Sequence, residues 1–101
     1  MFLQSGLPLA MLFSTLEEER KSISRSLTSI ALKYREQVDF ATVDAEKHSF
    51  LLKHFGLYSD QLPAFVIQTA DEVFKFNQDS PITANAIDEF IGRVINPLED
   101  L

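Results

Sequence analysis

The chain has 101 residues and not one cysteine. Thiol–disulfide exchange needs a thiolate as the attacking group, so that chemistry is excluded, as is any disulfide staple. Tryptophan is also absent, and apart from Met1 the only methionine is Met11. The adaptability that methionine lends to promiscuous surfaces must then come from the nine phenylalanines and from a mobile loop. Glycine is scarce as well, with three isolated residues and neither a phosphate-cradling loop nor a Gly-x-Ser-x-Gly elbow. No apolar run approaches the ~20 residues needed to cross a bilayer. Positive charge is the last shortage: 9 Lys and Arg stand against 15 Asp and Glu, for a formal net charge of -6. That balance argues against a nucleic-acid backbone and against anionic lipid as partners, since both need clustered basic residues.

What is present belongs to a globular protein. The chain is 46% hydrophobic and 24% charged, and its length is that of one domain, able to close a core without metal clips. We therefore expect a single domain over residues 1–101. Met1-Phe2-Leu3 is too short and too poor in basic residues for a signal peptide. The abrupt start suggests a fragment of a larger multidomain protein; if that parent is secreted, its targeting signal lies outside this piece.

Hydrophobic periodicity gives the order of elements. Leu7 to Phe13 is nearly continuous apolar sequence, as in a strand covered on both faces. Ser14 or Thr15 is placed to cap a helix, and Thr15-Leu16-Glu17-Glu18 has the spacing of a capping box. Behind it Ile23, Leu27, Ile30, Ala31 and Tyr34 form one stripe, predicting a helix from about Leu16 to Glu36. Val38 to Asp44 alternates as a second strand, and Asp44 is an N-cap for a short helix over Glu46 to Phe55, ended by Gly56. Ala64 to Gln68 and Val73 to Phe76 flank the turn Thr69-Ala70-Asp71-Glu72 as a hairpin. A final helix spans Ala84 to Ile95, and Asn96-Pro97 stops it. The order β-α-β-α-β-β-α predicts a mixed four-stranded sheet flanked by helices, its first two strands parallel and its hairpin an antiparallel edge. That is a thioredoxin-like fold.

Four stretches carry a resemblance over nearly the whole chain: Ser5-Gly6-Leu7-Pro8-Leu9-Ala10, Glu18-Glu19-Arg20-Lys21, Phe40-Ala41-Thr42-Val43-Asp44-Ala45 and Pro63-Ala64-Phe65-Val66-Ile67-Gln68. In their order and spacing the chain resembles the non-catalytic b′ domain of protein disulfide-isomerase, fungal forms in particular. The resemblance implies a thioredoxin-fold module within a multidomain isomerase of the endoplasmic reticulum lumen. Flanking catalytic domains of that family carry Cys-Gly-His-Cys centres, which would fall near Glu18 to Lys21 here. Its implied partners are unfolded or partly folded polypeptides and those flanking domains, with no nucleic acid, membrane, cofactor or metal. Pro63 matches the proline that is cis throughout the fold. The family's apolar peptide pocket falls, residue by residue, on Ala41, Leu51, His54, Phe55, Ala70 and Phe74. His54 stands where an aromatic is usual and Ala41 and Ala70 are small, which implies a pocket that is wider, more polar at one edge, or shifted.

Phe50-Leu51-Leu52-Lys53-His54-Phe55 holds more apolar surface than one short helix needs for one stripe. It reads either as core or as part of a groove for apolar segments. Phe74 and Phe76 share a face of their strand, and Phe76 is read as packing against a helix. His48 and His54, six apart, do not sit on one helical face and do not make a metal pair. No residue of the chain is read as catalytic. The function expected is capture of hydrophobic segments in support of oxidative folding and chaperone activity. The alternative is a structural spacer or dimerisation module of a redox-inactive thioredoxin-like protein.

Overall fold

Strand β1 (Leu9–Ser14) is buried along all but its first residue, and the other elements are arranged around it. Its apolar run supplies side chains to both faces, as a covered central strand requires. The computed structural model describes residues 7–77 and 80–95; the readings at Met1 to Leu3, Ser5-Gly6 and Asn96-Pro97 lie outside the described residues. After β1 come α1 (Glu17–Ser26), α2 (Thr28–Lys33), β2 (Asp39–Asp44), α3 (Ser49–His54), a 3-10 turn at Ser59–Gln61, β3 (Ala64–Gln68), β4 (Val73–Lys75) and α4 (Ala84–Ile95). The strands form one mixed sheet in the order β2-β1-β3-β4. β2 runs parallel to β1 with Phe13 beside Val43. β3 is antiparallel to β1 with Met11 beside Val66, and β4 is antiparallel to β3 with Ile67 beside Phe74.

Alternation along the strands divides the core in two. Ala10, Leu12, Phe65 and Ile67 face one way and pack with Leu27, Ile30, Tyr34, Ile87 and Ile91. Met11, Phe13, Ala64 and Val66 face the other way and pack under Leu52, Phe55 and Leu57. Helices α1, α2 and α4 therefore back one face of the sheet, and α3, with its six residues, is the helix on the other.

The single helix expected from Leu16 to Glu36 is two. It breaks at Leu27, whose φ and ψ are -99° and 3°. The amide of Leu27 divides its bond between the carbonyls of Ile23 and Ser24, at 3.1 and 3.2 Å. The hydroxyls of Ser26 and Thr28 donate back to those same two carbonyls. Hydroxyls that bond the preceding turn bend helices, and here two of them act on adjacent residues.

The helix start also differs. The N-cap position is Leu16, with no side-chain cap bond, so the capping box at Thr15 does not form. Ser14, two residues earlier, accepts from the Leu16 amide at 3.2 Å. The third helix is shorter than expected because Asp44 closes a turn of its own. Its Oδ1 accepts from the amides of Glu46 and Lys47 at 3.0 and 3.2 Å, and α3 begins only at Ser49. Gly56, at φ +69°, ends that segment in the left-handed conformation that glycine alone adopts without strain.

Candidate functional site

Where β1 passes into α1, polar groups satisfy one another. Ser14 is fully buried; its hydroxyl donates to Glu19 Oε1 at 2.6 Å, and its carbonyl accepts from Arg20 Nη1 at 2.8 Å. The second guanidinium nitrogen lies 3.7 Å from the Asp44 carboxylate. The Lys47 amide, then the Glu46 amide and the Arg20 charge, hold the Asp44 carboxyl below the usual range. Glu18 to Lys21 thus occupy the opening turns of α1, and the Leu62–Pro63 peptide bond is cis just ahead of β3. This end of the sheet presents a closed ion-pair and hydrogen-bond cluster in which the Ser14 hydroxyl is committed to Glu19 and the Leu16 amide, an arrangement that fixes its shape.

The face covered by α3 is different. Phe55 is buried with its ring edge against Phe13, centroids 5.7 Å apart. His54 is exposed and stands edge-on to the Phe55 ring at 4.7 Å. Leu51 is half-buried, as are Leu9 and Leu62 at the margins of the same small core. Ala41 is exposed on β2, in register with Met11. Between α3 and β2 lies an open cavity of about 460 Å³ lined by Leu51, Val43, Arg20, Asp44, Lys47 and His48 among others. On the outer flank of α3 a second cavity, of about 600 Å³, is lined by Phe50, Leu52, Lys53, Leu57 and Tyr58 among others. Phe50 and Tyr58 are 66% and 69% exposed, large apolar surface left in water.

The six residues named from the resemblance do not converge. Leu51, His54 and Phe55 lie together at α3, whereas Ala41, though in register with Met11, borders a separate cavity of about 270 Å³ with Leu12, Leu27, Phe40 and Phe65 of the larger core. Phe74 is in register with Ile67 and packs against the larger core on the opposite face. Ala70 is exposed in the hairpin turn. Strand parity enforces the separation, because a side chain beside Ile67 cannot reach the α3 side without a shift of register. Phe76 packs edge-on against Phe90 of α4, centroids 5.4 Å apart. Exposure of Phe50 was readable in principle, since turning Leu52 and Phe55 inward on so short a helix turns Phe50 out. Tyr58 carries no such signal; it lies in a loop whose path only the fold reveals. Among the described residues no group of three or more His, Cys, Asp or Glu is placed to hold a metal ion.

The thioredoxin-like domain family model matches residues 1–93. Protein disulfide-isomerase of Humicola insolens is 35% identical over 102 residues, a match covering 95% of this chain and 20% of that protein. The chain spans about a fifth of the length of the curated relatives it matches. Human ERp44 superimposes with a TM-score of 0.76 at 18% identity, over 90% of this chain and 26% of that one. The thioredoxin Deadhead of Drosophila melanogaster gives a TM-score of 0.70 at 16% identity, over 89% of this chain and 83% of that one. Such structural likenesses speak for the fold, which is the mixed sheet and helix order described above. The chain belongs to the thioredoxin-like domain family, and within it matches one domain-length stretch of the protein disulfide-isomerases.

Proposed function

We propose that this chain is the non-catalytic, b′-type binding domain of a protein disulfide-isomerase of the endoplasmic reticulum lumen. It holds apolar segments of unfolded or partly folded polypeptides and presents them to catalytic thioredoxin domains flanking it in the same protein. The observation that carries this reading is the uneven cover of the sheet. A six-residue α3 leaves Leu9 and Leu51 half in water, with Leu51 lining an open cavity of about 460 Å³. The absence of any thiol fits a domain that grips rather than oxidises.

Burial of roughly 300 Å² of apolar surface contributes on the order of 7 kcal/mol gross. Loss of translational and rotational freedom removes ~4 kcal/mol or more of that. Affinity is therefore weak, and tolerant of sequence, since apolar burial without directed polar contacts discriminates little. The test is titration of the labelled chain with a hydrophobic peptide, followed by amide and methyl chemical shifts. Shifts at Ala41, Leu51 and His54 support the reading. Shifts confined to α4 and Phe74, or none at all, reject it; self-association in sedimentation without peptide binding would instead favour a spacer or dimerisation module.

A further inference from the structure

The α3 segment has a charge character opposite to that of the chain. From Lys47 to Ser59 there is no Asp or Glu, yet the stretch holds Lys47, Lys53 and both histidines of the protein, His48 and His54. Lys75 reaches the same side from β4, its ammonium 3.4 Å from the Gly56 carbonyl. The net charge of -6 is thus carried elsewhere. The acid nearest this stretch in the cavity, Asp44, is already committed to the amides of Glu46 and Lys47 and to Arg20. Among the described residues Lys47 and Lys53 enter no ion pair within 4 Å, although the Lys47 charge acts on Asp44 across a longer distance.

Both lysines line the cavities described above. Lys47 and His48 share the cavity beside β2 with Leu51 and Val43, and Lys53 shares the outer one with Phe50 and Leu57. Screening decides whether the local or the net charge matters to a bound segment. At physiological salt the Debye length is about 8 Å, so a side chain seated beside Leu51 feels Lys47, next to the mutually paired Arg20 and Asp44, far more than the acidic residues outside the cavity. We propose that the α3 face selects apolar segments flanked by Asp or Glu, the carboxylates meeting Lys47 and Lys53 while the apolar side chains cover Leu51 and Phe50. This inference rests on the binding role proposed above and adds to it the class of client.

The experiment compares three short fluorescent peptides that share one Leu-Phe-Leu centre and carry Asp, Ser or Lys on both sides, titrated with the full chain by anisotropy. The Asp-flanked peptide is expected to bind about two- to fivefold tighter than the Lys-flanked one, as one or two exposed ion pairs allow. High salt flattens that order. Lys47→Glu combined with Lys53→Glu abolishes or reverses it. Arg25→Glu, an exposed change on α1 across the sheet, leaves it intact and controls for the sign of a net-charge change, at half the double variant's size. Equal binding of the three peptides, tighter binding of the Lys-flanked one, or an effect of Arg25→Glu as large as that at α3 would overturn the inference while leaving apolar binding in place. Failure of all three to bind would remove the binding role and the inference together.

Discussion

The hydroxyl of Tyr34 donates to Oδ1 of Asp88 at 2.5 Å across 54 residues of sequence, and Lys33 contacts the same carboxylate at 2.9 Å. One acid thereby ties α2 to α4 beside the larger core. The Tyr34 hydroxyl first, and the Lys33 ammonium second, hold the Asp88 carboxyl below its usual range. A depressed folded value stabilises the fold fully above the unfolded carboxylate value of about 3.9, and that stabilisation is lost as pH falls through the folded value. The phenol of Tyr34 is raised, by burial first and by Asp88 next; its share is present below about pH 10 and is lost as pH rises through the folded value. Tyr34→Phe is expected to cost on the order of 1 kcal/mol near neutral pH. In urea unfolding the gap between variant and parent should narrow toward about pH 2. A gap independent of pH would show that the hydroxyl acts through packing alone.

Gly56→Ala separates backbone strain from side-chain crowding. A Cβ built at Gly56 meets only the Lys75 ammonium, at 3.2 Å, the far end of a flexible side chain that can withdraw. The φ of +69° remains, and a non-glycine residue there costs about 1–2 kcal/mol. Thermal unfolding should show that loss for Gly56→Ala and a smaller one for Gly56→Asn. Restoration of stability by Lys75→Ala in the Gly56→Ala background would place the cost in crowding instead.

Ser14→Ala removes a fully buried hydroxyl that serves the Leu16 amide and Glu19 together. The expected loss is about 1–2 kcal/mol. Glu19→Ala in that background should add less than it does alone, because the two residues act through one bond. Additive losses in denaturant titrations would mean that the Ser14–Glu19 contact contributes nothing of its own.

Leu51 and Phe74 should behave oppositely. Leu51→Ser, at a half-buried position beside the open cavity, is expected to weaken hydrophobic-peptide binding roughly three- to tenfold with little change in unfolding midpoint. Phe74→Ala should destabilise by about 1–3 kcal/mol, since its ring packs on the larger core, and leave peptide affinity unaltered. Loss of binding in Phe74→Ala at temperatures where it stays folded would return that residue to the site.

The fold was legible because its strands and final helix follow local rules. The apolar run of β1, the Thr69–Glu72 turn and the spacing of Ile87 and Ile91 each act within a few residues. The break at Leu27 was not, since the stripe from Ile23 to Tyr34 continues through it in phase. What bends it is a choice made by Ser26 and Thr28 between water and the carbonyls of Ile23 and Ser24, which periodicity cannot weigh. Of the candidate site, Leu51 and Phe55 were legible within the Phe50–Phe55 surface, which has more apolar area than a single stripe uses, while His54 came only from the resemblance. The displacement of Phe74 was hidden in a register: only pairing with Ile67 fixes which side of the sheet its ring takes. The stretch free of acids from Lys47 to Ser59 stands plainly in the sequence, but it gains meaning only when α3 lies alone over its half of the core.

A sheet padded thickly on one side and thinly on the other does not come apart evenly. Deuterium should reach the amides of α3 through partial openings that leave β1, β3 and α4 protected. Under the proposed binding role, that looseness would let the lean side mould itself to guests of many shapes while the stout side keeps the protein from unravelling.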